Sequence, residues 1–518
     1  METFRQRLKF RTSKEDVKLR KRKSILYTKE IDTHDRTEVL RVAVFCVLFR
    51  VLNCFLVQTS FVPDEYWQGV EVAHHMVFNY GHLTWEWKEG IRGFTYPLFF
   101  AVIYEFLHWI HCDSVHLLIW MPRLLHALVT AFVDVKYFFF MKTLEDRETA
   151  RWTFFCHLCS WFTWFCCTRT LSNSAETNIT YLALCYFPLP GSKTSSSKKY
   201  LSLVALAIIV RTTALIVWLP LVAYHFWQDK NKLKLVVHDY IPIGVTAVVI
   251  STIIDCIFYE KWVFVQFNFL KLNVFHSVAD FYGTHPWHWY LTQGFPVIIG
   301  PHLPFFLYGC FLAFRKYKIL LVAITWTIGA YSLLPHKEFR FIYPVLPFCF
   351  IFCGVAMAHL RAWRRAAAGA LLASNLLIAL YTGLIHQRGA LDVMSHVRAL
   401  CHNVSEADVR FLMPCHSTPY YSHVHCPLKM AFLECPPDLS RVGHVDEADR
   451  FYHDPLLWLR TSFPDAQSQP THLVLFDVLE KEISMFLRDN NFTKTADLFH
   501  THVPEGKVGR RIFIYERH

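Results

Sequence analysis

With 518 residues, 53% of them hydrophobic, 16% aromatic and only 18% charged, the chain carries too few charges for an ordinary soluble protein, where they make up about 25%. Its formal charge of +11 does not mark a nucleic-acid binder. The basic residues lie in the N-terminal tail and in short loops between apolar runs, the pattern that orients a polytopic membrane protein.

Residues 1–37 are rich in Lys and Arg, with KLRKRKS at Lys18 to Ser24. No small-residue cleavage site follows an apolar stretch, so this segment reads as a cytosolic tail. The run from Leu40 to Ser60 is long enough for a hydrocarbon core of roughly 30 Å and serves as an uncleaved first span. Beyond it lies Phe61 to Pro97, which holds Asp64 and Glu65 directly after Pro63, together with Trp67, Trp85 and Trp87. Ionisable groups at a membrane boundary are costly to desolvate and default to a functional reading. The same acids could instead cap an amphipathic helix from Tyr66 to Tyr80, since carboxylates suit a helix N-terminus.

Under the positive-inside rule, the basic loops at Lys230 to Lys234, Arg315 to Lys318 and Arg361 to Arg365 face the cytosol. That places loops 61–96, 259–289 and 335–341 on the opposite, lumenal face. Between Tyr96 and Trp227 two counts compete, giving about eleven or about thirteen crossings overall. The longer one lets short helices turn back at Pro122-Arg123 and at Arg211, and brings Arg123, Arg169 and Arg211 to the Asp64 face. An intramembrane Arg usually pairs with an acid, and Asp134 (for Arg123) and Glu176 are the candidates for a purely structural role.

The turn LPHKEFRFIYPVLP puts His336, Lys337, Glu338 and Arg340 within five residues between two spans. Positive charge on a non-cytosolic face opposes insertion, so the turn needs another reason, and a lipid phosphate calls for such donors. In the preceding loop Tyr282, His285, Trp287 and His288 fit a site that stacks on and hydrogen-bonds a sugar. Aromatic belts at membrane interfaces would look the same.

From about Arg388 the composition turns mixed and no further span follows, so 388–518 is expected to be a separate α/β lumenal domain after a membrane domain at 38–387. Cys401, Cys415, Cys426 and Cys435 most simply make two disulfides in an oxidising compartment. With His416, His423 and His425 they could alternatively bind zinc, although no Cys-x-x-Cys knuckle is present. Asn403 and Asn491 head N-glycosylation triplets.

PDEYWQ, GHLTWEW, TRTLSNSAE, FYGTHPWHWY and HKEFRFIYPVLP together resemble the membrane mannosyltransferases of glycosyltransferase family 22, in the GT-C superfamily. PCHSTPYYSHVHCP in the C-terminal region resembles those members that build the glycosylphosphatidylinositol (GPI) anchor. One departure is Arg211-Thr212-Thr213 where Arg-Pro-Thr is expected. The resemblance implies an all-α polytopic GT-C fold and an endoplasmic-reticulum enzyme. It implies transfer of the third mannose, α1,2-linked, from dolichyl-phosphate mannose to the GPI precursor, with membrane lipids as surroundings and no nucleic-acid partner. Asp64 or Glu65 would be the base. His336, Lys337 and Arg340, helped by Arg123, Arg169 or Arg211, would hold the donor phosphate, and Glu338, Trp67, Tyr282, His285, Trp287 and His288 would contact sugar or acceptor. With no nucleotide diphosphate to clamp, neither a metal nor a cofactor is expected. Alternatives are a mannosyltransferase of N-glycan precursor assembly, a lipid transporter or flippase, and a non-catalytic subunit. The absence of an internal repeat speaks against the transporter.

Overall fold

A computed structural model describes residues 36–518 apart from 276–277, 279–280, 282, 405 and 438–444, and describes only the backbone of 274, 275 and 403. The basic tail, the Ser of the first glycosylation triplet and Tyr282 therefore lie outside the described residues.

Six helical runs among the described residues are long and apolar enough to cross a membrane: Arg36–Leu56, Val115–Leu144, Lys232–Tyr259, Tyr290–Leu333, Phe339–His359 and Arg361–His402. Their outward faces stay apolar, as lipid requires. The run Tyr290–Leu333 folds back on itself at Tyr317, whose backbone leaves the helical region. The rings of Tyr290 and Tyr331 consequently lie 6.2 Å apart. Arg315, Lys316 and Lys318 sit at that turn, where Lys316 pairs with Glu145 at 2.7 Å. At the same end Arg364 pairs with Glu148, and Lys142 and Arg147 pair with Glu38 at 2.7 and 2.9 Å. The basic turns thus gather at one end of the helical body.

The opposite end holds Asp64. There Tyr259 donates to the Arg92 carbonyl at 2.8 Å, and the Pro335 carbonyl accepts from the His285 amide at 3.0 Å. The helix Ser172–Tyr186 starts at this end, where Asn173 donates to the Arg340 carbonyl at 3.1 Å. Ser197–Val210 runs back to it, and residues 191–199 form the connection at the far end. These are the placements the longer count was devised to achieve, reached by a different path. Thr95–Trp109 remains at the Asp64 end, packed beside Glu71–Phe78. No reversal occurs at Pro122, which lies inside the continuous helix Val115–Leu144. Proline removes one helical donor. The carbonyl released, that of Leu118, accepts the Tyr104 hydroxyl at 2.9 Å. Pro220 repeats the device, with the Ile216 carbonyl taken by the Trp326 indole at 3.1 Å. The chain does turn at Arg211.

The membrane body also buries a charge cluster. Arg50 of the first span meets Asp134 at 2.6 and 3.2 Å, His157 donates to or accepts from the same carboxylate at 2.7 Å, and Tyr181 bonds His157 at 2.7 Å. Asp134 therefore pairs with Arg50, not with Arg123.

The C-terminal region carries a five-stranded sheet of order β2-β1-β3-β5-β4, built from β1 (Asp408–Leu412), β2 (Lys429–Phe432), β3 (His472–Phe476), β4 (Phe492–Phe499) and β5 (Arg511–Arg517). β1 is parallel to both β2 and β3, while β5 is antiparallel to β3 and β4. Every residue of the central β3 is buried, as expected of a strand covered on both faces. Gly389–Ala399 and the disulfide loops lie on the side facing the membrane body, and their apolar residues share one core with Trp67, Val70 and Phe100.

Candidate active site

Pro63 ends the first span's extension, and the chain enters a π-helical turn, Tyr66–Val70, that continues as Glu71–Phe78. Glu65 stands at the N-cap without making a side-chain cap bond. Both carboxylates turn to arginines instead. Glu65 is 3% exposed and meets Arg169 at 2.8 Å. Arg169 is saturated by Glu65, the Thr59 hydroxyl and carbonyl, and the Phe165 carbonyl, so it holds the loop and is not open to a phosphate. Asp64, 23% exposed, meets Arg340 at 2.6 Å and accepts from Gln68 at 2.5 Å. Adjacent positions on a helical turn point about 100° apart, which is why the two acids serve different partners.

Around Asp64 the turn at 335–340 forms a compact network. Arg340 divides its guanidinium between Asp64 and Glu338, which it reaches at 2.6 and 2.7 Å. His336 bridges the Gly283 carbonyl at 2.9 Å and Glu338 at 3.2 Å. Burial works to raise the Glu338 carboxyl, but the charges of Arg340 and His336 outweigh it and hold the group well below its usual range. For His336, burial disfavours the charged form, yet its bonds to Glu338 and Gly283 prevail and hold it above its usual value. Lys337 corrects the expectation. It is buried, with its ammonium on the His285 carbonyl at 3.0 Å and on the Leu334 carbonyl, and so braces the turn against the 283–290 loop. Tyr290 completes that brace by donating to the Glu338 carbonyl at 3.0 Å.

Gln68, Glu86 and Arg92 also belong to the cluster and were not singled out in the sequence. Arg92 meets Glu86 at 2.6 and 3.0 Å, and Gln68 links Asp64 to Glu86 at 3.5 Å. The signal was present: two opposite charges in the same loop as Asp64, separated by a tight Gly90 turn at positive φ.

Of the aromatic candidates, His285, Trp287 and His288 are exposed, Trp287 at 66%, and are open to a ligand beside this network. Trp67 is not. It is 4% exposed, its indole donates to the Thr418 carbonyl at 3.0 Å, and its ring packs on His416, Tyr420 and Phe432. Trp67 seats the C-terminal region on the membrane body. Arg211 pairs with Glu176 at 3.3 Å and lies over the Phe341 ring, the structural partnership weighed from the sequence. Arg123 donates to the Cys54 and Val57 carbonyls.

The four clustered cysteines are joined as Cys401–Cys426 and Cys415–Cys435. Cys415, His416 and Cys435 lie within 4.8 Å of one another, but sulfurs bonded to each other are not thiolate ligands. His423 packs on Tyr66 and His425 bonds His74 at 3.0 Å, so the histidines serve separate contacts. Asn491 sits in a turn before β4 with positive φ.

The fold and this cluster define a membrane-embedded glycosyltransferase of GT-C type. The lipid-A-modifying-type protein ArnT from Cupriavidus metallidurans, solved with undecaprenyl phosphate, superposes with a TM-score of 0.57 at 12% identity, over 92% of this chain and 97% of that one. The family model of the Alg9-like mannosyltransferases matches residues 42–425, and the chain belongs to that family. GPI alpha-1,2-mannosyltransferase 3 of Danio rerio is 60% identical, with 100% of this chain and 98% of the relative covered. The Homo sapiens protein of the same name is 58% identical over 97% and 92%.

Proposed function

We propose that this protein transfers the third mannose of the GPI core, in α1,2 linkage, from dolichyl-phosphate mannose on the lumenal face of the endoplasmic reticulum. The observation that carries the reading is the partly open Asp64 carboxylate, held ionised against Arg340 in a network whose other side is exposed to ligand, in a chain whose full-length relatives bear that activity in their names.

The donor is a β-linked mannosyl phosphate, so an α product requires inversion at C1. One displacement achieves this: the acceptor hydroxyl oxygen bonds C1 as the bond from C1 to the phosphate oxygen breaks through an oxocarbenium-like state. The hydroxyl proton passes to a carboxylate on the opposite side of the sugar. Asp64 takes that role because it is exposed, whereas Glu65 is buried and occupied by Arg169. The electron pair of the breaking bond leaves with dolichyl phosphate, whose charge Arg340 and His336 offset. Arg340 can swing part of its fork from Glu338 or Asp64 to the phosphate without a further cation entering. His285, Trp287 and His288 supply surfaces for the sugars.

The test is the glycolipid that accumulates in cells lacking the protein. A GPI precursor bearing two mannoses is expected. A truncated dolichol-linked oligosaccharide would move the assignment to N-glycan assembly.

A further inference from the structure

A cavity of about 330 Å³ lies on the Glu65 side of the loop, between it, the start of helix Val115–Leu144 and helix Gly389–Ala399 of the C-terminal region. Its size falls within the range of small-ligand sites, roughly 300–1,000 Å³. Two acids line it, and both are occupied: Glu65 by Arg169, and Asp392 by Arg388 at 3.1 Å. Two further arginines at the wall are not neutralised. Arg123 is nine-tenths buried, and its Nε finds no hydrogen-bond partner among the described residues. Arg398 has no carboxylate partner among the described residues. Their field is felt by His423 on the same wall, whose imidazole is pushed down to about 3, first by burial and then by Arg123 and Arg398. A buried guanidinium donor without an acceptor is unfavourable unless a ligand supplies one.

The remaining wall is apolar, with Val70, Leu118 and Trp120. Trp120 packs 5.0 Å from Phe55, which is exposed on the lipid-facing side of the first span. An anion that enters here comes with a hydrocarbon chain. We propose that this cavity binds the phosphate of a lipid substrate, with Arg123 and Arg398 as its anion-binding residues, the second supplied by the C-terminal region. The proposal rests on the reading of the chain as a lipid-dependent mannosyltransferase. Two sources share the chemistry: the phosphate monoester of a spent polyprenyl donor, and the phosphodiester of an inositol-lipid acceptor.

The experiment uses the full chain in nanodiscs of neutral lipid and measures binding of dolichyl phosphate and of phosphatidylinositol by native mass spectrometry. Wild type is expected to retain at least one of them. Arg398→Glu should weaken that lipid by at least about tenfold, and Arg398→Lys by clearly less, because it keeps the charge and loses the fork. Ser395→Glu, an exposed change on the same wall, should also weaken it without touching either arginine. Loss confined to dolichyl phosphate assigns the cavity to the donor side, and loss confined to phosphatidylinositol to the acceptor side. Wild type that binds neither lipid, or that binds no better than Arg398→Glu and Ser395→Glu, overturns the proposal. No mannosyl transfer is read, so a failure of the assigned reaction would appear separately.

Discussion

Arg340 is the residue on which the Asp64 network turns, because one guanidinium serves two carboxylates. A lysine is a point charge and cannot hold both, so Arg340→Lys is expected to lower mannosyl transfer by at least tenfold while the protein still folds, checked by activity per folded molecule. His336 adds a pH dependence. Its folded value is raised, so its stabilisation of the cluster is fully present below the unfolded value of about 6.5 and is lost as pH rises through the folded one. A variant His336→Gln should therefore lose this part of the pH dependence of stability, read as melting temperature against pH. Glu65→Gln leaves Arg169 buried beside a neutral amide; breaking such a pair costs about 3–5 kcal/mol, so the loss should show in folded yield ahead of turnover. The acids after Pro63 and the His336 to Arg340 turn were legible because ionisable groups at a membrane edge have no bland reason to be there. Arg50 was not, since its acid lies 84 residues away in another helix. Spacing alone offered Asp134 to Arg123, and only packing shows which arginine reaches it.

At the scale of elements, a carboxylate latches the C-terminal region to the first loop. Glu71 is buried and accepts from the Tyr420 amide at 2.7 Å, and from the Ser422 amide and hydroxyl at 3.1 and 2.5 Å. Glu71→Ala would strand these donors, each at about 1–3 kcal/mol. The expected outcome is faster protease cleavage between the membrane body and residue 389, with the membrane helices intact. Peptide mapping under non-reducing conditions should recover Cys401 with Cys426 and Cys415 with Cys435, and reduction should cost roughly 2–4 kcal/mol per bridge. The cysteine cluster was readable from composition, but its pairing was not, because spacing allows several connectivities. Pro122 misled for a related reason. A proline reads locally as a helix end, while the acceptor of its freed carbonyl, Tyr104, is supplied from the neighbouring helix.

For the whole molecule, the two ends found by contact give an orientation. Glu38, Glu145 and Glu148 are spent on basic turns at one end, and Asp64, Glu65 and Glu338 on buried arginines at the other. With the basic end cytosolic, a tag after His518 should resist protease in intact microsomes and a tag before Met1 should be cut; a C-terminal tag that is cut would reverse the assignment. The membrane class was legible in the sequence from its apolar runs. The path between Tyr96 and Trp227 was not, since Thr95–Trp109 is as apolar as a span and only its contacts with Glu71–Phe78 keep it at the Asp64 end. The central claim, that Asp64 is the base of an inverting α1,2-mannosyl transfer, is tested most directly by mannose transfer from dolichyl-phosphate mannose to a dimannosyl GPI precursor, with wild type and Asp64→Asn at equal folded amount. An α1,2-linked trimannosyl product from wild type and a rate lower by about 10²- to 10⁴-fold in Asp64→Asn are expected; an Asp64→Asn enzyme as fast as wild type would contradict the account.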